Sequence, residues 1–305
     1  MNANKSAPIL VIGATGKTGQ HVVNELKNRG AIVRVLVRAK DAAKALFGGG
    51  VEIFAGFDYD EANTAASALK GVEKLYLVSG SAPNWVEQTK GIIDQAKYAG
   101  VKHIVRLSVF GLANRTKGFG ATEIGRRHLE IEKYIQENGF AYTFLRPMCF
   151  NQNIAWHHAF EIQNQFQISS QFGPTAKVNF IDARDIAAVA AIALTSSGHE
   201  NKIYELAGPQ SLSMTEVAQI LSKQLGKEIK FVDMTEGQAK ERLISWGVPA
   251  SEAALLAIMF NQVRLGNTGD LTDDLKKLIG NRGITLETFM ADNIEQFRPP
   301  LVKQK

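Results

Sequence analysis

The stretch that most constrains this chain lies near its start: Pro8-Ile9-Leu10-Val11-Ile12-Gly13-Ala14-Thr15-Gly16-Lys17-Thr18-Gly19. An apolar run leads into glycines at positions 13, 16 and 19. An amphipathic segment follows, with Val22, Val23 and Leu26 on one face. The pattern predicts a buried strand, a tight turn and a helix. In such a unit the glycines let the backbone approach a phosphate, and the free N–H groups and positive end of the helix hold its charge. An ordinary glycine-rich turn after a strand fits the same twelve positions, so the rest of the chain has to choose.

Strand and helix signals alternate through the first half. Strands are predicted at Ile32–Val37, Val51–Phe54, Leu75–Val78, Ile104–Leu107 and Tyr142–Leu145. Helices are predicted at Ala62–Leu69, at Trp85–Ala99 closed by Gly100, and at Arg126–Asn138 closed by Gly139. Repeated alternation of this kind predicts an α/β fold with a parallel sheet and helices on both faces. Right-handed crossovers make that sheet doubly wound and place its ligand at the carboxyl ends of the strands.

The second half is more mixed. Short strands are predicted at Lys177–Ile181, Ile203–Leu206 and Ile229–Val232, and a helix at Asp185–Leu194. Ser213 begins a helix to Leu225, with Glu216 three residues on as its capping-box partner. Helical segments dominate from Glu236, are broken at Trp246-Gly247-Val248-Pro249, and end with Leu286–Phe297. The expected organisation is a dinucleotide-binding domain over residues 1–154 and a smaller, mainly helical substrate or partner lobe over 155–305. Residues 177–208 are expected to return to the first domain's sheet, and the lobe to pack over the sheet's carboxyl edge.

Composition narrows the class. The chain has 305 residues, 45% hydrophobic and 21% charged, as in an ordinary globular protein. The single cysteine, Cys149, excludes an intrachain disulfide framework, and no apolar signal core precedes the first strand, so a cytoplasmic protein is expected. No apolar run is long enough to span a bilayer. The net charge of +5 is spread without a dense basic tract, so no specific nucleic-acid partner is expected. No His, Cys or acidic cluster has a metal-ligand spacing, so no metal site is expected.

The second strand leads into Arg38, 19 residues after Gly19. An acidic residue there would bond a ribose 2′-hydroxyl, whereas a guanidinium fork matches a 2′-phosphate. Lys17 and Lys40 add positive charge nearby. A solvated loop arginine is the alternative. Gly16-Lys17-Thr18 also touches the phosphate loop of nucleotide hydrolases, but that loop needs a glycine where Val11 stands.

The glycine turn is followed, in order, by Asp58-Tyr59-Asp60, Ala68-Leu69-Lys70-Gly71-Val72, Leu77-Val78-Ser79, Arg106-Leu107-Ser108, His128-Leu129-Glu130-Ile131-Glu132, Leu145-Arg146-Pro147, Asn151-Gln152-Asn153 and Phe180–Ala187. With these the chain, from about residue 8 to about residue 230, resembles the NmrA-like members of the atypical short-chain dehydrogenase/reductase superfamily. It is similar to the branch holding NADPH-dependent quinone, azo-dye and triphenylmethane-dye reductases. The resemblance implies a Rossmann-type fold binding NADP(H), with NAD(H) also allowed. It implies that Gly13, Thr15, Gly16, Lys17, Thr18 and Gly19 line the cofactor phosphates, Arg38 takes the 2′-phosphate and Asp58 the adenine edge. It further implies that Ser79 and Gly80 lie along the cofactor, Ser108 near the nicotinamide, and Pro147 and Phe150 at the border of the nicotinamide and substrate pocket.

One departure bears on mechanism. Alcohol-oxidising and sugar-reworking members of that superfamily use a Tyr-x-x-x-Lys pair on the helix after the fifth strand. Here Ile124 stands at the tyrosine position and His128 at the lysine position, and Tyr98–Lys102 straddles Gly100 at the wrong end of the sheet. Quinones and cationic dyes take hydride at an electron-poor carbon and draw the proton from water, so a dedicated acid is less necessary. His128 is a candidate to donate a proton or orient the substrate; a helix histidine packed beside the pocket is the alternative. Trp156, His157, His158 and Phe160 form either an aromatic wall for a flat substrate or a helix packed on the core. The two adjacent histidines are expected on different helix faces. Cys149 is expected as a small buried filler.

The expected activity is therefore NADPH-dependent hydride transfer to a quinone or similar flat aromatic acceptor. The rival is a non-catalytic NAD(P)-binding redox sensor that acts on a protein partner. Oligomeric state stays open at this level.

Overall fold

The structure is a computed structural model describing residues 7–280 and 283–299. In chain order the elements begin β1 (Ile9–Ile12), α1 (Gly19–Asn28), β2 (Val33–Val37), α2 (Lys40–Phe47), β3 (Glu52–Ala55), α3 (Ala66–Leu69), β4 (Lys74–Leu77), α4 (Trp85–Tyr98), β5 (His103–Leu107), α5 (Glu123–Glu137) and β6 (Ala141–Pro147). They continue with β7 (Cys149–Phe150), α6 (Gln152–Gln165), β8 (Gln167–Ser170), β9 (Val178–Ile181), α7 (Ala183–Thr195), β10 (Lys202–Leu206), β11 (Gln210–Leu212), α8 (Met214–Leu225) and β12 (Lys230–Asp233). Helices α9 (Glu236–Ser245), α10 (Ala250–Arg264), α11 (Asp274–Ile279) and α12 (Leu286–Asp292) complete the chain. Two compact units divide these elements. The first runs to Val109 and adds Arg127–Arg146 and Ala183–Glu205; the second comprises Phe110–Arg126, Pro147–Asp182 and the residues from Leu206 on.

The first unit is built on a seven-stranded sheet of order β10-β6-β5-β4-β1-β2-β3. Strand β1 pairs in parallel with both β2 and β4, and the parallel pairing continues to β3 on one side and to β5 and β6 on the other. Strand order reverses between β1 and β4, which is the switch point of a doubly wound sheet, where ligands bind outside the carboxyl ends. All four residues of β1 are buried, as a central parallel strand covered on both faces requires. Helix α1 buries Val22, Val23 and Leu26 and packs against α7. That helix is apolar on nearly every side, and its alanines at 187, 190, 191 and 193 are fully buried, which lets α1 approach closely. Each fully buried Val, Leu or Ile contributes about 1.5–3 kcal/mol.

The second unit holds a three-stranded sheet of order β11-β9-β7 and a parallel pair of β12 with β8, surrounded by helices. Buried Asn179 stitches β9 to the chain entering β11. Its amide donates to the Gly208 and Gln210 carbonyls at 3.1 Å each, and its oxygen accepts from the Gly208 N–H at 2.7 Å. A Cβ on Gly208 would lie 1.8 Å from the Phe180 carbonyl oxygen, so no larger residue fits there.

Several local expectations change. Of residues 177–208, α7 and β10 belong to the first unit, whereas β9 pairs with β7 and β11. Strands β7, β8 and β11, of two to four residues, are too short to show an alternating pattern in sequence. The stretch Ala62–Leu69 opens as a 3₁₀ turn at Ala62–Ala65 before α3. The segment 286–297 splits at Asn293 into α12 and a 3₁₀ turn at Ile294–Gln296. The Ser213–Glu216 capping box forms as expected.

Candidate functional site

The glycine turn sits at the carboxyl end of β1. Gly13 has a φ of +82°, a left-handed conformation that favours glycine, and a Cβ there would lie 2.9 Å from the Val78 Cβ. A Cβ on Gly19 would fall 2.1 Å from the Gly13 carbonyl oxygen, so α1 can begin this close to the turn only without a side chain. The Gly16 N–H closes the turn on the Gly13 carbonyl at 3.0 Å. Thr18 precedes the helix, but its hydroxyl accepts from the buried Tyr76 hydroxyl at 3.1 Å and caps no helix N–H. There is no acidic residue in the first turn of α1. Thr15 and Gly16 are exposed, and Lys17 is partly buried. Burial pulls the Lys17 ammonium down to about 8. A turn with exposed backbone, a steric need for glycine at both ends and an adjacent amine fits the phosphates of a dinucleotide.

The other candidates of the first unit form a row along the carboxyl ends of the strands. Val78, which touches Gly13, leads into Ser79 and Gly80. A Cβ on Gly80 would meet the Gln88 Oε1 at 2.9 Å and the Tyr59 ring at 3.4 Å. The Tyr59 hydroxyl donates to the Val78 carbonyl at 3.1 Å. Burial pushes that phenol up to about 12, opposed by the positive charge of Arg38. Arg38 itself is exposed beyond β2. Asp58 is exposed too, and one of its carboxylate oxygens accepts the Asp60 N–H at 2.9 Å, closing a local turn.

A buried polar network lies at the ends of β5 and β6. Arg106 has no exposed surface. Its Nη2 donates to the His128 Nδ1 at 3.0 Å and to the Ser79 hydroxyl at 3.3 Å. Its Nε and Nη1 are buried without a protein partner. Burial brings the guanidinium down to about 10, against the pull of Glu132. The Ser108 hydroxyl donates to the Glu132 Oε1 at 2.6 Å, and its N–H donates to the Leu145 carbonyl at 2.7 Å. Glu132 in turn receives two bonds from Arg146, at 2.6 and 3.1 Å, and Arg146 reaches Glu205 at 3.0 Å. His128 lies against Trp85, ring centroids 5.0 Å apart. Desolvation, then the charges of Arg106 and Arg146, hold the imidazole well below its usual range. His128 is therefore a neutral group here, and an imidazolium acid is disfavoured.

The second unit carries the remaining candidates. Pro147 is buried, with its carbonyl accepting from the Phe110 N–H at 3.0 Å, and Phe150 pairs in register with Ile181. Behind β7 lies a cavity with about 660 Å³ of empty space, its open mouth included. Cys149, His157, His158, Gln171, Trp246 and Phe260 are among its walls. Trp156 and Phe160 do not wall it; they are 73% and 72% exposed on α6. His157 and His158, expected on different helix faces, both border the space. Cys149 is partly buried, and desolvation raises its thiol to about 12, which leaves it inert at neutral pH. Among the described residues no group of three or more His, Cys, Asp or Glu could hold a metal ion. No described helix is long and apolar enough to cross a membrane.

The sequence profile of the NmrA-like family matches residues 5–298. The chain belongs to the NmrA-like family. It is 36% identical over 290 residues to an NAD(P)H azoreductase of Xenophilus azovorans, covering 95% of this chain and 99% of that one. An NADPH-dependent quinone oxidoreductase of Escherichia coli, solved with NADPH, superposes with a TM-score of 0.82 at 31% identity, over 94% of this chain and 99% of that one. A triphenylmethane reductase of Citrobacter sp., solved with NADP(H), gives 0.81 at 29% identity, over 93% and 99%.

In this NmrA-like chain the residues that sequence reasoning did not single out for function are Arg106, Glu132 and Arg146. Signals for them existed. Glu132 falls four residues after His128, on the same face of α5, and Arg106 interrupts the apolar run Ile104–Leu107. Neither signal names the partner, which comes from another element.

Proposed function

We infer that this chain is an NADPH-dependent oxidoreductase that passes hydride to a quinone or a similar flat, electron-poor acceptor in the cytoplasm, with NADH as the weaker donor. Likeness to reductases along nearly the whole length of both chains carries the reading. The glycine turn supports it, since a side chain at either end would collide with Val78 or with the turn's own backbone and open the tight bend.

In this reading Gly13, Thr15, Gly16, Lys17, Thr18 and Gly19 hold the cofactor phosphates, Arg38 pairs with the 2′-phosphate and Asp58 faces the adenine. Ser79 and Gly80 follow the cofactor, Ser108 stands near the nicotinamide, and Pro147 and Phe150 border it. NADPH, when bound, supplies the hydride. Reduction of a quinone to a hydroquinone then needs one further proton, which water can give, so the absence of a Tyr-x-x-x-Lys acid at 124 and 128 is no obstacle. The buried Ser108–Glu132–Arg146 chain holds the site's floor in one geometry. Removing one partner of such a buried ion pair costs about 3–5 kcal/mol.

The test follows NADPH oxidation by its nicotinamide absorbance with a panel of quinones, azo dyes and triarylmethane dyes, with NADH in parallel. Multiple turnover that depends on the acceptor and favours NADPH is expected. A protein that binds NADPH but turns over no acceptor would instead be a redox sensor.

A further inference from the structure

The strongest unassigned feature is the contact between a wholly buried arginine and a half-buried histidine. Arg106 has no exposed surface, and its Nη2 lies 3.0 Å from the His128 Nδ1. A guanidinium only donates, so Nδ1 must accept and the ring's single proton must sit on Nε2. No partner of Nε2 is found among the described residues, while the ring is partly exposed.

The groups facing the ring oppose a second proton. Arg106 approaches from β5, and the charge of Arg146 is felt from β6. Trp85 of α4 offers only a ring face, and Ser79, after β4, shares the Arg106 donor. On α5 itself, Glu132 is taken by Ser108 and Arg146. An imidazolium here would be a third cation beside two arginines with no carboxylate of its own.

We propose that Arg106 is a positioning residue that locks His128 as a neutral Nε2–H donor, and that this donor selects acceptors whose reduction places negative charge on an oxygen, quinones above all. The proposal rests on the oxidoreductase reading above. A quinone that gains hydride at a ring carbon, two electrons with one proton, forms a C–H bond and carries the displaced electron pair as an enolate on a carbonyl oxygen. The donor cofactor is left oxidised. The Nε2–H bonds that oxygen as its charge develops and keeps its own proton, because a neutral imidazole is a far weaker acid than the enol. Water supplies the second proton to that oxygen, and exchange of one ring C–H proton onto the other oxygen, again through water, restores the aromatic ring as the hydroquinone. A triarylmethyl cation behaves differently: hydride on its central carbon cancels the positive charge, no oxyanion forms, and the donor has nothing to stabilise.

The experiment has two readouts. The first is kcat/KM for 1,4-naphthoquinone and for crystal violet, from pH 5 to 9, in the unmodified protein and in His128→Phe, Arg106→Met and Arg106→Lys. NADPH affinity is measured separately by its fluorescence. In His128→Phe the quinone-to-dye ratio should fall about 100-fold, the usual loss for one donor to a developing oxyanion. Arg106→Met should give the quinone profile a new step near pH 6.5, the ordinary histidine value, with Arg106→Lys restoring a flat profile. The second readout needs no turnover. Nitrogen NMR of the unmodified, ring-labelled protein, assigned by the signal missing in His128→Phe, should show a bare Nδ1 and a protonated Nε2 that do not titrate down to pH 5. A ring titrating between pH 6 and 7, or an equal loss with both acceptors in His128→Phe, overturns the proposal. Failure to oxidise NADPH with any acceptor would instead overturn the oxidoreductase reading, with the NMR result standing by itself.

Discussion

Two cations assigned to the cofactor, Arg38 beyond β2 and Lys17 in the glycine turn, differ in burial. Arg38 is exposed and able to form a charged fork on a phosphate, an interaction that typically contributes about 1.5–3 kcal/mol. Arg38→Ala should therefore cut the preference for NADPH over NADH by about 10- to 100-fold, measured as the ratio of dissociation constants. Equal affinities before substitution would exclude the assignment. Lys17 differs because burial depresses its pKa to about 8. Its charge is fully present below that value and is lost as the pH rises through it. NADPH binding should weaken between pH 7 and 9, a slope that Lys17→Met removes; fluorescence titration across that range decides it. Acid chemistry at His128 is disfavoured on the same physical ground, desolvation beside positive charge.

At the scale of elements, the ends matter more than the middles. Helix α8 is started by a capping box in which the Ser213 hydroxyl accepts the Glu216 N–H at 3.3 Å and the Glu216 carboxylate accepts the Ser213 N–H at 2.7 Å. Ser213→Ala should lower stability by about 1 kcal/mol, read by urea unfolding, without altering NADPH affinity. Helix α7 was predicted from sequence but not its setting: it is buried nearly all round because α1 covers it, and only residues as small as alanine permit that approach. The short strands of the second unit show the opposite limit. β7 is two residues long and exists through its pairing with β9, so no local pattern could announce it. The aromatic content of α6 was equally ambiguous, and the structure turned His157 and His158 toward the cavity while leaving Trp156 and Phe160 in solvent.

For the whole molecule, the cofactor should act as a stabiliser. A ligand at 100 times its dissociation constant adds about 2.7 kcal/mol to the state that binds it. For a protein of 305 residues that corresponds to a rise of roughly 4 °C in Tm, measurable by calorimetry, with a smaller rise for NADH at the same concentration. The doubly wound sheet was legible in the chain because each of its signals is local: a glycine turn of seven residues, apolar runs, and caps that end helices within one turn. The glycine turn was legible for the same reason, since the backbone of Gly13 excludes a side chain at Gly19, six positions on. The polar network was not. It joins Arg106 to His128 across 22 positions and Arg146 to Glu205 across 59, and those separations carry no period that a strand or helix would impress on a sequence. What the chain's order of residues determined by itself was the alternation of elements and the turn that suits a dinucleotide, because backbone sterics and hydrogen bonding act between neighbours. What only the tertiary structure decided was which charges are buried together and which tautomer His128 must hold, because desolvation depends on what the fold brings around a group.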